Sequence, residues 1–336
     1  MNLFYNLNTS FFLIIVIFLN LIILNKRKII SHKIKILDYP DHRKIHTEPT
    51  PLIGGVCIFF TLIFSTFINF FLYKSVSKGE FYALICFYLI FFIVGLWDDI
   101  KQISPKFRTI IILVALASLL VLNQNFILEN LIFMGAKVKI ELNIFSLIFT
   151  IFCFFALYNA LNFIDGYNGV SCSVSIYWLL FLYINNNNLV YLTLLIIMFL
   201  LFYYNIQGKL FLGNSGTSIL SIFFSVSIAK DYNAYTNFYA DEILFLLFFP
   251  GIDMIRVTLQ RISSKKKIYT PDKSHFHHYL IKNDFKYIWQ TMLFLSTLPL
   301  AILNFTSNTH LTLVISIIIY TVIFLFLKKS NVNQSK

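Results

Sequence analysis

The sequence predicts an all-α, polytopic integral membrane protein with about 10–11 transmembrane helices of bilayer-spanning length. Three observations carry this expectation. Of 336 residues, 58% are hydrophobic and only 12% are charged, whereas soluble domains carry about 25% charged residues. The apolar residues fall in runs, with a mean hydropathy of +0.76. The lysines and arginines punctuate those runs and gather on one side when the sides are alternated.

The runs lie near 8–25, 52–73, 81–97, 109–123, 143–158, 170–184, 188–204, 215–230, 241–257, 290–304 and 310–327. Several are shorter than a comfortable span. With the N-terminus outside, one side receives residues 26–51, 98–108, 159–169, 205–214, 256–289 and 328–336, with 22 of the 27 Lys and Arg. Positive charge concentrates in cytoplasmic loops, so that side is expected to be cytoplasmic. The first run has no basic residue before it and no small-residue cleavage site after it, so it reads as a span and not as a cleaved signal. Residues 1–330 read as one transmembrane domain, with 331–336 as a short polar tail.

A net charge of +12 would point to nucleic acid in a soluble protein. Here the charges form no continuous face, so no nucleic-acid partner is expected. The four cysteines lie in or beside spans without a Cys-x-x-Cys pair, which reads as small apolar filler.

Five polar clusters fall on the positive side. DYPDHRKIHTEPTPLIGGV (38–56) holds Arg43, Lys44 and His46 before two prolines and Gly54-Gly55; a plain juxtamembrane basic loop would fit this pattern too. Asp98-Asp99 ends an apolar run, where carboxylates either mark the membrane boundary or bind a hard divalent cation. NALNFIDGYNGV (159–170) spaces Asn159, Asn162 and Asp165 by three, along one helical stripe. NIQGKLFLGNSGTS (205–218) contains Asn205, Lys209, Phe211 and Asn214 in a glycine-rich turn that opens a helix. Such a turn either offers backbone N–H groups to phosphate or serves as an ordinary N-cap. The fifth, running from PGIDMIRVTLQRISSKKK to TPDKSHFHHYL, carries His275, His277 and His278. No cysteine or HExxH accompanies these histidines, so they suit an anionic, phosphorylated substrate better than zinc.

Together the Asp-Asp pair, NALNFIDG and PDKSHFHH resemble the polyprenyl-phosphate N-acetylhexosamine-1-phosphate transferases, a membrane glycosyltransferase family, from Asp38 to about Leu280. The His-x-His-His form is similar to the branch that initiates O-antigen, enterobacterial common antigen or teichoic-acid linkage units, in lipopolysaccharide and cell-wall biogenesis. The resemblance implies transfer of a sugar-1-phosphate from a UDP-N-acetylhexosamine to undecaprenyl or another polyprenyl phosphate, with release of UMP. It also implies Mg²⁺ (Mn²⁺ as substitute), a bacterial inner-membrane location with cytoplasmic catalytic loops, and leaves a homodimer open.

By the same resemblance Asp98 is a candidate base or orienting group, with Asp99 in the metal region. Asp165 then lies by the nucleotide and pyrophosphate, and Asn162 is a metal ligand. Asn205, Lys209 and Phe211 would lie by the nucleotide, Arg43 and Lys44 would hold phosphates, the histidines the pyrophosphate or sugar, and Asn159 and His46 are further substrate-binding candidates. One position departs from the family. Asn214 stands where an aspartate usually ligates the metal, which leaves a binding-only member as the alternative. A secondary transporter, the contrasting class, would bury ionisable groups near mid-membrane; here the spans are almost free of charge.

Overall fold

The computed structural model describes residues 2–40, 48–74, 76–234, 239–267 and 273–334. Each of the eleven apolar runs is helical. In chain order the helices are α1 (Asn2–Asn25), α2 (Arg27–Ile34), α3 (Gly54–Ile68), α4 (Lys78–Lys101), α5 (Pro105–Leu122), α6 (Ser146–Ile164), α7 (Val170–Asn185), α8 (Leu189–Ile206), α9 (Gly213–Asn233), α10 (Ala240–Leu246), α11 (Phe248–Ser263), α12 (Phe276–Lys282), α13 (Ile288–Thr306) and α14 (Thr309–Gln334). Among the described residues, seven helical segments are long and apolar enough to cross a membrane: 54–73, 78–101, 105–122, 143–164, 189–206, 288–306 and 309–330. The protein is therefore a multi-pass membrane protein.

The ninth run is not one helix. Pro250 has no N–H to donate to the carbonyl of Leu246, and the helix breaks between α10 and α11. The indole Nε1–H of Trp178, fully buried on α7, takes that carbonyl instead at 3.0 Å. Satisfying a freed carbonyl from a neighbouring helix is what a water-free interior requires.

Helix α9 is the central column. Among its residues only Asn214, Lys230 and Asn233 escape burial, and α3, α4, α6 and α7 all pack on it. Two glycines bring its N-terminus close to its neighbours. A Cβ on Gly55 of α3 would stand 2.5 Å from the amide nitrogen of Gly216, and one on Gly95 of α4 would stand 2.5 Å from Cα of Ser215. Both separations are far inside van der Waals contact, so only glycine fits.

Two small ribbons complete the fold. Strands β1 (Leu37–Asp38) and β2 (Thr50–Pro51) pair antiparallel, with Asp38 opposite Thr50. The chain after α8 adds beside β2: Phe211 donates its N–H to Pro51 at 2.9 Å, and Gly54 donates to Phe211 at 3.2 Å. At the other end of the bundle, β3 (Asn130–Phe133) and β4 (Val138–Glu141) form a hairpin. Its turn is pinned by Asp241, which accepts from Gly135 N at 2.8 Å and from Thr309 Oγ1 at 2.7 Å. Neither ribbon, nor the short helices α2 and α12, is expected from the apolar pattern.

Candidate active site

The C-terminal ends of α4, α6 and α8, the N-terminal end of α9 and one face of α12 meet at one end of the bundle, around a cavity of about 830 Å³. Of the residues singled out in the sequence, Asp99, Asp165, Asn205, Phe211, Asn214 and His278 line it. Asp98, Asn159, Asn162, Lys209, His275 and His277 do not. Arg43, Lys44 and His46 lie outside the described residues.

The two adjacent aspartates do different things. Asp99 accepts hydrogen bonds from Asn214 N at 2.7 Å, Ser215 N at 3.0 Å and Ser215 Oγ at 2.7 Å. It therefore caps α9 from another helix, where a carboxylate is favoured by the orphan amides and the helix dipole. The glycine-rich turn is thus not an open phosphate cradle, because two of its first amides are already taken. Asp98, on the next position around α4, is buried and paired with Arg108 of α5 at 2.5 Å.

The stripe on α6 behaves similarly. Asn159 turns back on its own helix, donating to the Phe155 carbonyl at 2.8 Å. Asn162 donates through Nδ2 to Oδ1 of Asn214 at 3.0 Å, so the two candidate metal ligands touch. Asp165 ends the helix, faces the cavity, and accepts from Ser171 Oγ. Burial pushes its carboxyl up to about 6, against the opposing effect of the Ser171 hydrogen bond. No cation pairs with it among the described residues.

Asn205 staples two loops of the cavity wall. Its Oδ1 accepts from Gly169 N at 2.6 Å, and its Nδ2 donates to the Leu210 carbonyl at 3.0 Å. Gly169 itself has φ +86°, a conformation that an L side chain resists. Lys209 is exposed beside this loop.

The three histidines form a compact triangle, with His275 and His278 6.5 Å apart. His275 and His277 have parallel rings 6.0 Å apart, and His277 and His278 are 4.2 Å apart. His277 is only 1% exposed and its Nε2 has no hydrogen-bond partner. That nitrogen points at Gly166, where a Cβ would be 2.1 Å away. Burial, reinforced by His278 and His275, holds the His277 pKa well below the ordinary imidazole value.

Sequence reasoning did not single out Asp38, Glu48, Asn168, Gln207, Lys273 and Lys282, which also line the cavity. Asp38, Glu48, Asn168, Gln207 and Lys273 lie inside the polar clusters, which was the available signal; Lys282 had none. Arg108 and Ser171 were equally silent, because their importance comes from partners across a turn. Among the described residues, no three His, Cys, Asp or Glu side chains converge as a metal cage.

Comparison with known proteins agrees with this architecture. A profile of glycosyl transferase family 4 matches residues 81–230, which run from α4 through α9. An undecaprenyl-phosphate alpha-N-acetylglucosaminyl 1-phosphate transferase of Thermotoga maritima is 27% identical over 278 residues, 81% of each chain. A probable undecaprenyl-phosphate N-acetylglucosaminyl 1-phosphate transferase of Bacillus subtilis is 24% identical, over 76% of this chain and 72% of its own. The Escherichia coli undecaprenyl-phosphate alpha-N-acetylglucosaminyl 1-phosphate transferase is 24% identical, over 81% of this chain and 76% of its own. In its helices and in these matches the chain is similar to the undecaprenyl-phosphate N-acetylglucosaminyl 1-phosphate transferases of glycosyl transferase family 4.

Proposed function

We propose that the protein transfers a sugar-1-phosphate from a UDP-N-acetylhexosamine to undecaprenyl phosphate, releasing UMP and starting a lipid-linked surface glycan. The reaction takes place at the cytoplasmic face of the bacterial inner membrane. The observation that carries this reading is the single cavity edge shared by Asp99, Asp165, Asn205, Phe211, Asn214 and His278, at the end of a membrane-spanning bundle. A lipid acceptor reaches such a site from the bilayer, and a nucleotide sugar reaches it from water.

In this reaction an oxygen of the acceptor phosphate attacks the sugar-bearing phosphorus of the donor. The pyrophosphate P–O bond breaks, and UMP leaves with the electron pair. Asp165 is the base that fits best. A carboxyl near 6 is matched to the second ionisation of a phosphate monoester, about 6, and can take the proton of an acceptor monoanion. Asp98, the base suggested by family resemblance, has its carboxylate committed to Arg108 and acts by orienting it. Asp99 fixes the α9 turn, so that Asn214 is presented to the cavity. Phe211, held by backbone bonds to the β2 ribbon, offers a face on which the uracil ring can stack. Lys273, Lys282 and His278 bring positive or hydrogen-bonding character to the pyrophosphate.

Asn214, which faces the cavity, and Asn162, which touches it, would hold a divalent cation that arrives with substrate phosphates, leaving Asp165 as the base. Mg²⁺ is ordinarily held by one or two carboxylates plus such phosphates and not by an all-protein cage. When bound, Mg²⁺ or Mn²⁺ supplies charge neutralisation between the two approaching phosphate groups. Asn214 supplies a neutral carbonyl oxygen in place of a carboxylate, which favours an enzyme with a raised metal requirement. The test is purified protein with polyprenyl phosphate, Mg²⁺ and a panel of UDP-amino sugars, read as UMP release. UMP released with none of the panel would overturn the reading, and nucleotide binding without release would establish a binding-only member.

A further inference from the structure

The histidine segment needs support that its own helix cannot provide. α12 has seven residues, too few to be stable in isolation. Even so, His275 and His277 are buried and His278 reaches the cavity. The support comes from α11. Asp253, 2% exposed, accepts through Oδ2 from the Phe276 backbone N–H at 3.2 Å and lies 3.3 Å from His275 Nδ1. Arg256, one turn on, donates to the Ser274 carbonyl at 2.6 Å and pairs with Asp253 Oδ1 at 2.6 Å. Three consecutive residues, Ser274 to Phe276, are thus gripped by one buried ion pair.

The grip is locked from the far end of the chain. The Tyr320 hydroxyl of α14 donates to Asp253 Oδ1 at 2.8 Å and accepts from Arg256 Nε at 2.7 Å. The Arg256 guanidinium also sits over the Phe324 ring, 4.1 Å from its centre. A buried ion pair repays its desolvation only when its remaining donors and acceptors are satisfied, and Tyr320 supplies that closure. None of these three residues lines the cavity.

We propose that Asp253, Arg256 and Tyr320 form a positioning clamp that seats the histidine segment against the cavity, so that α14, remote from the chemistry, sets the geometry of His275, His277 and His278. The catalytic consequence rests on the transfer reaction proposed above, whereas the clamp itself does not.

The test uses the full-length protein in nanodiscs, with Tyr320→Phe as the mild variant and Arg256→Met as the severe one. Hydrogen exchange is followed in peptides covering 274–280, and transferase kinetics are measured in parallel. The Phe276 amide should exchange about tenfold faster in Tyr320→Phe and faster still in Arg256→Met, the scale set by losing a hydrogen bond to a charged group. Peptides from α13 and from α9 should exchange as in wild type. Turnover should fall by a similar factor, with the donor KM changed much less. Unchanged exchange over 274–280 in both variants overturns the clamp. A uniform acceleration through α11, α13 and α14 also overturns it, since that reports lost packing. Local acceleration with wild-type turnover overturns the positioning role. If the wild-type protein transfers nothing, the proposed reaction fails while the exchange arm still decides the clamp.

Discussion

Arg108 Nη1 lies 2.5 Å from Asp98 Oδ2, in a pair whose side chains are 19% and 8% exposed. The pair crosses the tight turn between α4 and α5, and it separates two neighbouring carboxylates that would otherwise repel. Asp98 answers to a cation, while Asp99 answers to the end of a helix. This division explains why two adjacent aspartates are present: one acid could not serve both partners, which lie on different elements.

The first prediction follows from that pair. Removing one partner of a buried ion pair leaves an uncompensated charge, at a cost of about 3–5 kcal/mol. Asp98→Asn and Arg108→Gln should each lower folding stability on that scale, read by thermal unfolding, and the double variant should be no worse than either single one. Strictly additive losses would show that the two residues act independently.

The second concerns pH. With the Asp165 carboxyl near 6, activity that needs its ionised form should be lost as pH falls through about 6, in the kcat/KM profile of the free enzyme. Ser171→Ala removes the donor that favours the ionised form, so the acidic limb should move to higher pH. Asp165→Asn should abolish turnover. The sign for stability is opposite. A carboxyl whose pKa is raised on folding favours the folded state below its unfolded value, about 4, and that contribution disappears as pH rises through about 6. Thermal unfolding in EDTA should show this trend in wild type and lose it in Asp165→Asn.

The third concerns the departure at position 214. Asn214→Asp adds a carboxylate at the residue whose backbone amide Asp99 already holds. Half-activation should shift to lower Mg²⁺ and Mn²⁺, because magnesium favours charged oxygens. In EDTA the same variant should melt lower than wild type. Identical metal titrations would remove position 214 from the cation site, and activity seen only after restoring Asp would establish the binding-only alternative.

The fourth concerns sidedness. Single cysteines placed at 98–108 or 273–289 should label only from the cytoplasm, and those at 124–142 only from outside. Outside labelling near the histidines would break the one-sided cavity and the reaction with it.

What could be read from sequence was set by how far each signal reaches along the chain. Apolar runs are local, so all eleven were legible as helices, and only Pro250 concealed the break at Leu247. The clusters carrying Asp99, Asp165, Asn205, Phe211, Asn214 and His278 were visible because polar residues at the ends of apolar runs stand out. Partnerships were not legible. Asp99 meets Ser215 across 116 residues and Asp253 meets Tyr320 across 67, and neither separation leaves a mark in composition or period. The two ribbons escaped notice because strands of two and four residues carry too few positions to show alternation.

The burial of α9 also constrains what can surround it. Its serines and its Lys230-Asp231 end leave it outside the segments that are apolar enough to cross a membrane by themselves. A helix of that composition gains little from lipid, since a hydroxyl in hydrocarbon must find a partner nearby. Its partners α3, α4, α6 and α7 all precede it in the chain. A slot lined by those four helices, and not lipid, is therefore what this serine-rich column needs, and Asp99 holds its N-terminal turn in place there.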